Sequence, residues 1–82
     1  MAINAKDAAK IAANYYMDLS NERVDLSIEE IEFDENGFWL ITLGLHDPYK
    51  MGSFGAKPVS YKIFRINAES GEVISMKIRE IK

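Results

Sequence analysis

The feature that most narrows the possible folds is an apolar alternation interrupted once by a turn. Ile31 and Phe33 precede Asp34-Glu35-Asn36-Gly37, and Trp39, Ile41, Leu43 and Leu45 follow it. A period of two marks a half-buried strand, and a Gly-containing break of this length joins two such strands into a hairpin. The loop length decides which side chains meet. A loop of two or four residues pairs Phe33 with Leu40 or Phe38 and puts Glu32 on the face of Trp39 and Ile41. Three residues, with Gly37 left-handed after a type I turn, pair Phe33 with Trp39 and Ile31 with Ile41. The second choice keeps the apolar pairs together and predicts one sheet face of Ile31, Phe33, Trp39, Ile41, Leu43 and Leu45. The opposite face then carries Glu30, Glu32, Asp34, Phe38, Leu40 and Thr42.

Upstream, Val24, Leu26 and Ile28 alternate out of phase with Ile31 and Phe33, so either a bulge lies near Glu29 and Glu30, the favoured reading, or the strand begins only there and Val24 to Ile28 is an extended lead-in. A second hairpin turns at Asn67-Ala68-Glu69-Ser70-Gly71-Glu72. A four-residue loop ending at Gly71 pairs Ile66 with Val73 and Ile63 with Met76. That register puts Tyr61, Ile63, Ile74, Met76 and Ile78 on the face shared with Trp39, and Lys62, Phe64, Ile66, Val73, Ser75 and Lys77 on the other. Residues 46–58, with Pro48, Gly52, Gly55 and Pro58, are too broken for a regular element.

Ahead of the strands, Asn4 to about Leu19 reads as the one long helix. Asn4 suits the N-cap, and Asp7 puts a carboxylate in the first turn, near the unpaired amides and the positive dipole end. At 100° per residue, Ile11, Tyr15, Ala8, Leu19, Ala12, Ala5, Tyr16 and Ala9 share one arc of about 160°. The alanines allow close approach to a sheet, Ile11, Tyr15 and Leu19 supply knobs, and Met17 falls on the polar side. Ser20, Asn21 and Glu22 read as the exit turn. The expected fold is therefore a two-layer α+β domain over 1–82: one N-terminal helix packed on a four-stranded antiparallel meander, order 1-2-3-4.

The 82 residues are 48% hydrophobic and carry a net charge of −3, which fits one small folded domain and excludes disorder. The acidic balance speaks against nucleic acid, and no apolar run is long enough for a membrane span. Without cysteine there is no disulfide, thiolate metal site or thiol nucleophile. The first nineteen residues lack the apolar core of a secretory signal. With Met1 as the natural start, the expectation is a cytoplasmic protein.

The stretch Tyr61-Lys62-Ile63-Phe64-Arg65-Ile66-Asn67-Ala68-Glu69-Ser70-Gly71-Glu72-Val73-Ile74 resembles the PepSY-like domains, in which a strand enters an Asp-Ala-x-Thr-Gly-Glu-Val type of turn. Here Asn67 stands for the Asp and Ser70 for the Thr. The Ala-rich helix face, aromatic strand and Ser-Gly-Glu hairpin also look like a family of small bacterial immunity proteins. Both resemblances imply a non-catalytic, protein-binding domain and bring no catalytic residues.

In the predicted register, Phe38, Leu40, Phe64, Ile66 and Val73 form an apolar patch on the face away from the helix. Such a patch marks an interface with a partner or a second copy, unless the 46–58 loop covers it through Tyr49, Met51 and Phe54. Glu30, Glu32, Lys62 and Lys77 are its expected rim charges. Glu30, Glu32 and Asp34 diverge along a strand instead of converging on a cation, so no metal site is expected. His46, beside Asp47 and Pro48, has only Ser53 as a nearby hydroxyl in sequence, and no catalytic set assembles. No cofactor is expected. The alternatives are an immunity or inhibitor protein neutralising a toxin or peptidase, or a small-ligand binder between helix and sheet using Tyr15 and Tyr16.

Overall fold

The computed structural model describes residues 2–20, 25–46 and 60–79. Helix α1 (Ala5–Ser20) precedes β1 (Asp25–Asp34), β2 (Phe38–His46), β3 (Ser60–Asn67) and β4 (Val73–Arg79). The strands form one antiparallel sheet in the order β1-β2-β3-β4, with the helix packed on one face. The fold is the expected α+β arrangement. Asn21, Glu22, Val24 and the loop residues Asp47, Pro48, Tyr49, Met51, Gly52, Ser53, Phe54, Gly55 and Pro58 lie outside the described residues.

Local chemistry accounts for each boundary. The Asn4 side chain caps the helix by accepting from the Asp7 amide at 2.8 Å. In the first turn between strands, Gly37 N–H donates to the Asp34 carbonyl at 2.9 Å, and Gly37 has φ +89°. This is the three-residue loop, and it pairs Phe33 with Trp39 and Ile31 with Ile41. The bulge is also present, since Ile28 pairs with Leu43 and Glu30 with Thr42, leaving Glu29 as the extra residue. Leu26, Ile28, Ile31 and Phe33 therefore all point to the helix side. In the second turn, Asn67 accepts the amides of Glu69 and Ser70 on its side chain, and Gly71 at φ +77° closes the loop. Ile66 pairs with Val73.

The phase of the second hairpin differs from expectation. Between Ile66↔Val73 and Arg65↔Ser75 the register slips by one, so Ile74 is a bulge residue and Phe64, not Ile63, lies opposite Met76. Ile74, Met76 and Ile78 stay on the helix side, but Phe64 and Ile66 join them, and Ile63 and Arg65 point away. Lys62 pairs with Leu43 and Ile78 on the helix side, so it is not opposite Lys77, which pairs with Ile63.

The core lies under the helix. Ala8 and Ala12 are buried against Ile41, Leu43, Leu45, Phe64 and Ile66, with Ile3, Ile11, Tyr16, Leu26, Trp39 and Val73 packed around them. Tyr15 meets Phe64 edge-on at 6.2 Å. Leu19, expected as a knob, is 56% exposed in the last helical turn, because the buried contacts of the helix fall in its earlier turns. Met17 is exposed as expected.

The helix is fixed at the turn end of the sheet. Ile3 N–H donates to the Ala68 carbonyl at 2.7 Å, the Trp39 indole donates to the Ile3 carbonyl at 3.1 Å, and Ala68 N–H donates to the Gly37 carbonyl at 3.0 Å. Trp39→Phe removes the indole donor and is expected to lower unfolding free energy by about 1–2 kcal/mol in urea titration. The two glycines separate backbone strain from crowding. A Cβ on Gly37 meets nothing within 4 Å, whereas one on Gly71 comes 3.3 Å from Ile11 Cδ1. Gly37→Ala should cost about 1–2 kcal/mol from the left-handed backbone alone. Gly71→Ala should cost more in the same titration.

Candidate interaction surfaces

The expected five-residue patch is not assembled. Phe38 and Leu40 lie on the open sheet face, opposite Asn67 and Arg65, but Phe64 and Ile66 are 0% exposed beneath the helix and Val73 packs against the same core. The β4 bulge is the physical reason, since it inverts the phase of β3 relative to the expected pairing. Of the expected rim charges, Glu30, Glu32 and Lys77 are on the open face and Lys62 is on the helix side.

What the open face does present is a transverse division of charge. Glu30, Glu32 and Asp34 stand on β1, Phe38, Leu40 and Thr42 on β2, Ile63 and Arg65 on β3, and Ser75 and Lys77 on β4. Thr42 is buried, and with Glu30, Glu32, Leu40 and Ile63 it lines a shallow depression of about 250 Å³. Arg65 ties three strands together: its guanidinium carbon lies 4.2 Å from the Phe38 ring centroid, and one terminal nitrogen is 3.7 Å from Asp34 Oδ2. Its Nε is buried without a hydrogen-bond partner. The guanidinium thus sits over an aromatic face and meets the carboxylate through one nitrogen only.

At the other end of the open face, Ser27 links Glu29 and His46. Its Oγ donates to Glu29 Oε2 and lies 2.9 Å from His46 Nε2. Because a hydroxyl has one hydrogen, His46 is the donor in this chain. Nucleophilic activation needs the reverse, with the imidazole accepting the hydroxyl proton, so the order of groups does not make a relay. Sequence reading joined His46 to Asp47 and missed Ser27 and Glu29. The hairpin register was the available signal, since it places Ser27 opposite Gly44, two residues from His46.

The larger exposed apolar area is on the helix side of the sheet. Ile28, Ile31 and Phe33 on β1, and Ile74, Met76 and Ile78 on β4, flank the helix and are all exposed, with Phe33 at 54% and Ile78 at 69%. Phe33 rests edge-on against Trp39 at 4.9 Å. Among the described residues no group of three or more His, Asp or Glu side chains could hold a metal ion, and no helix is long and apolar enough to cross a membrane.

No family model matches the chain, and neither the curated proteins nor the solved structures contain a match to it.

The Arg65 clamp is testable by a double-mutant cycle. Arg65→Gln and Phe38→Leu should each destabilise by about 0.5–1 kcal/mol. The double variant should cost less than the sum, because both remove the same contact.

Proposed function

We propose that the chain is a non-catalytic protein-interaction domain that binds through the apolar flanks beside its helix. The observation that carries this reading is the set of three large exposed apolar side chains on each edge strand, Ile28, Ile31 and Phe33 on one side and Ile74, Met76 and Ile78 on the other. Apolar side chains gathered on one face beside a packed core mark surfaces that a second polypeptide covers. The resemblance of the last hairpin to PepSY-like domains supports the same class. An immunity or inhibitor role is the form this takes if the partner is a toxin or a peptidase. The outer face, expected to carry the contact, contributes only Phe38 and Leu40 of its five predicted residues. Tyr15 and Tyr16, the suggested handles for a small ligand, are engaged in packing.

The test is affinity capture from the native lysate with wild type and with the double variant Ile31→Lys, Phe33→Glu. Ile31 and Phe33 are half-exposed and Phe33 gives up its edge contact with Trp39, so the variant should lose about 1–2 kcal/mol and stay folded at the capture temperature, which its circular dichroism checks. The wild type should retain a polypeptide that the variant loses. Equal recovery by both, or none by either, would remove the β1 flank from the reading.

A further inference from the structure

Each edge strand of the sheet pairs on one side only among the described residues: β1 with β2, and β4 with β3. Their side-chain patterns are opposite in what they permit. On the open face β1 carries Glu30, Glu32 and Asp34 at alternate positions. An antiparallel pairing of β1 with β1 of a second copy that overlaps this stretch and keeps the two open faces together puts carboxylate opposite carboxylate. Such alternation blunts an edge.

β4 carries no row of like charges, and its one irregularity, the bulge at Ile74, lies at the start of the strand. Ile74-Ser75-Met76-Lys77-Ile78 reads the same from either end in its chemistry, apolar, polar, apolar, polar, apolar. An interface between identical surfaces must be self-complementary about its two-fold axis. With that axis perpendicular to the sheet at Met76, Ile74 faces Ile78 of the second copy, Met76 faces its equivalent, and Ser75 faces Lys77 of the second copy. A shift of the axis to Lys77 would oppose two ammonium groups, whereas the axis at Met76 opposes none and keeps three apolar pairs in register. On the helix side Ile74, Met76 and Ile78 are all exposed and supply the apolar area of the contact.

We propose that β4 is a homodimerisation edge: two copies pair antiparallel through Ile74, Met76 and Ile78 about a two-fold axis at Met76, joining their sheets into one of eight strands. This deepens the protein-binding reading and rests on it, with the second copy as the occupant of the β4 flank. Edge pairing satisfies the outward amides and carbonyls of β4 and covers the apolar row in one step.

Sedimentation equilibrium over a concentration series tests it on the full 9.3 kDa chain. Wild type should reach twice the chain mass and no more. Ser75→Lys sets ammonium against Lys77 of the other copy twice per dimer without touching the apolar row, and should weaken association about tenfold. Adding Lys77→Glu should restore it, since the two substituted groups then attract. The chain has no cysteine, so Met76→Cys offers a second readout: oxidation should link two copies through the axis, whereas Ile31→Cys on β1 should give no comparable yield. A wild type that stays monomeric at high concentration overturns the proposal. So does a dimer indifferent to Ser75→Lys, or a mass that keeps growing, which would indicate β1 joining β4 head to tail. A monomer that still captures a polypeptide sensitive to Ile31→Lys, Phe33→Glu leaves the broader reading standing; a monomer that captures nothing ends both.

Discussion

One helix cannot cover four strands. A helix with its side chains is about 10–12 Å across. Strand spacing of about 4.8 Å puts the axes of the two outermost strands about 14 Å apart, before their side chains are added. In this chain the helix sits on the centre of the sheet, and burial follows that geometry: Ile41, Leu43, Phe64 and Ile66 on the two inner strands are fully enclosed. The edge strands carry apolar residues on the same face that the helix does not reach. The exposed flanks are thus a consequence of width, and their apolar character is a property of the sequence that the packing of one helix leaves unused.

The alanines set how close the two layers come. Ala8 and Ala12 bring the helix backbone down onto β2 and β3, which closes the central core. Larger residues there would lift the helix and loosen the central contacts. On the other face, Arg65 and Phe38 make a single polar-aromatic clamp over a surface otherwise divided between acidic β1 and the basic side of β4.

Much of this was legible in the sequence, and the part that was not has one cause. The first hairpin was readable because only one loop length keeps Phe33 with Trp39 and Ile31 with Ile41, and the phase change between Ile28 and Ile31 left a bulge or an extended lead-in, of which β1 contains the bulge. β3 gave no such guidance. Tyr61 and Ile63 on one face compete with Phe64 and Ile66 on the other, so hydrophobic pattern alone does not orient it. Its phase follows from β4, where Ile74, Met76 and Ile78 do face the helix, only if the ladder between the two strands is unbulged. The extra residue at Ile74 reversed β3 and with it three of the five residues expected in the interaction patch.

The hydrogen bonds around Ile3 join parts of the chain that are far apart in sequence. The indole comes from a residue 36 positions downstream in the first hairpin, and the carbonyl that receives the Ile3 amide comes from Ala68 in the second. Each hairpin is a local structure that forms from neighbouring residues, whereas the seat of the helix needs one group from each. The N-terminal anchor therefore behaves as a logical conjunction: it closes only when both turns are in place and already joined through Ala68 and Gly37. Helix docking reports completion of the sheet, and loosening either turn releases the same end of the helix.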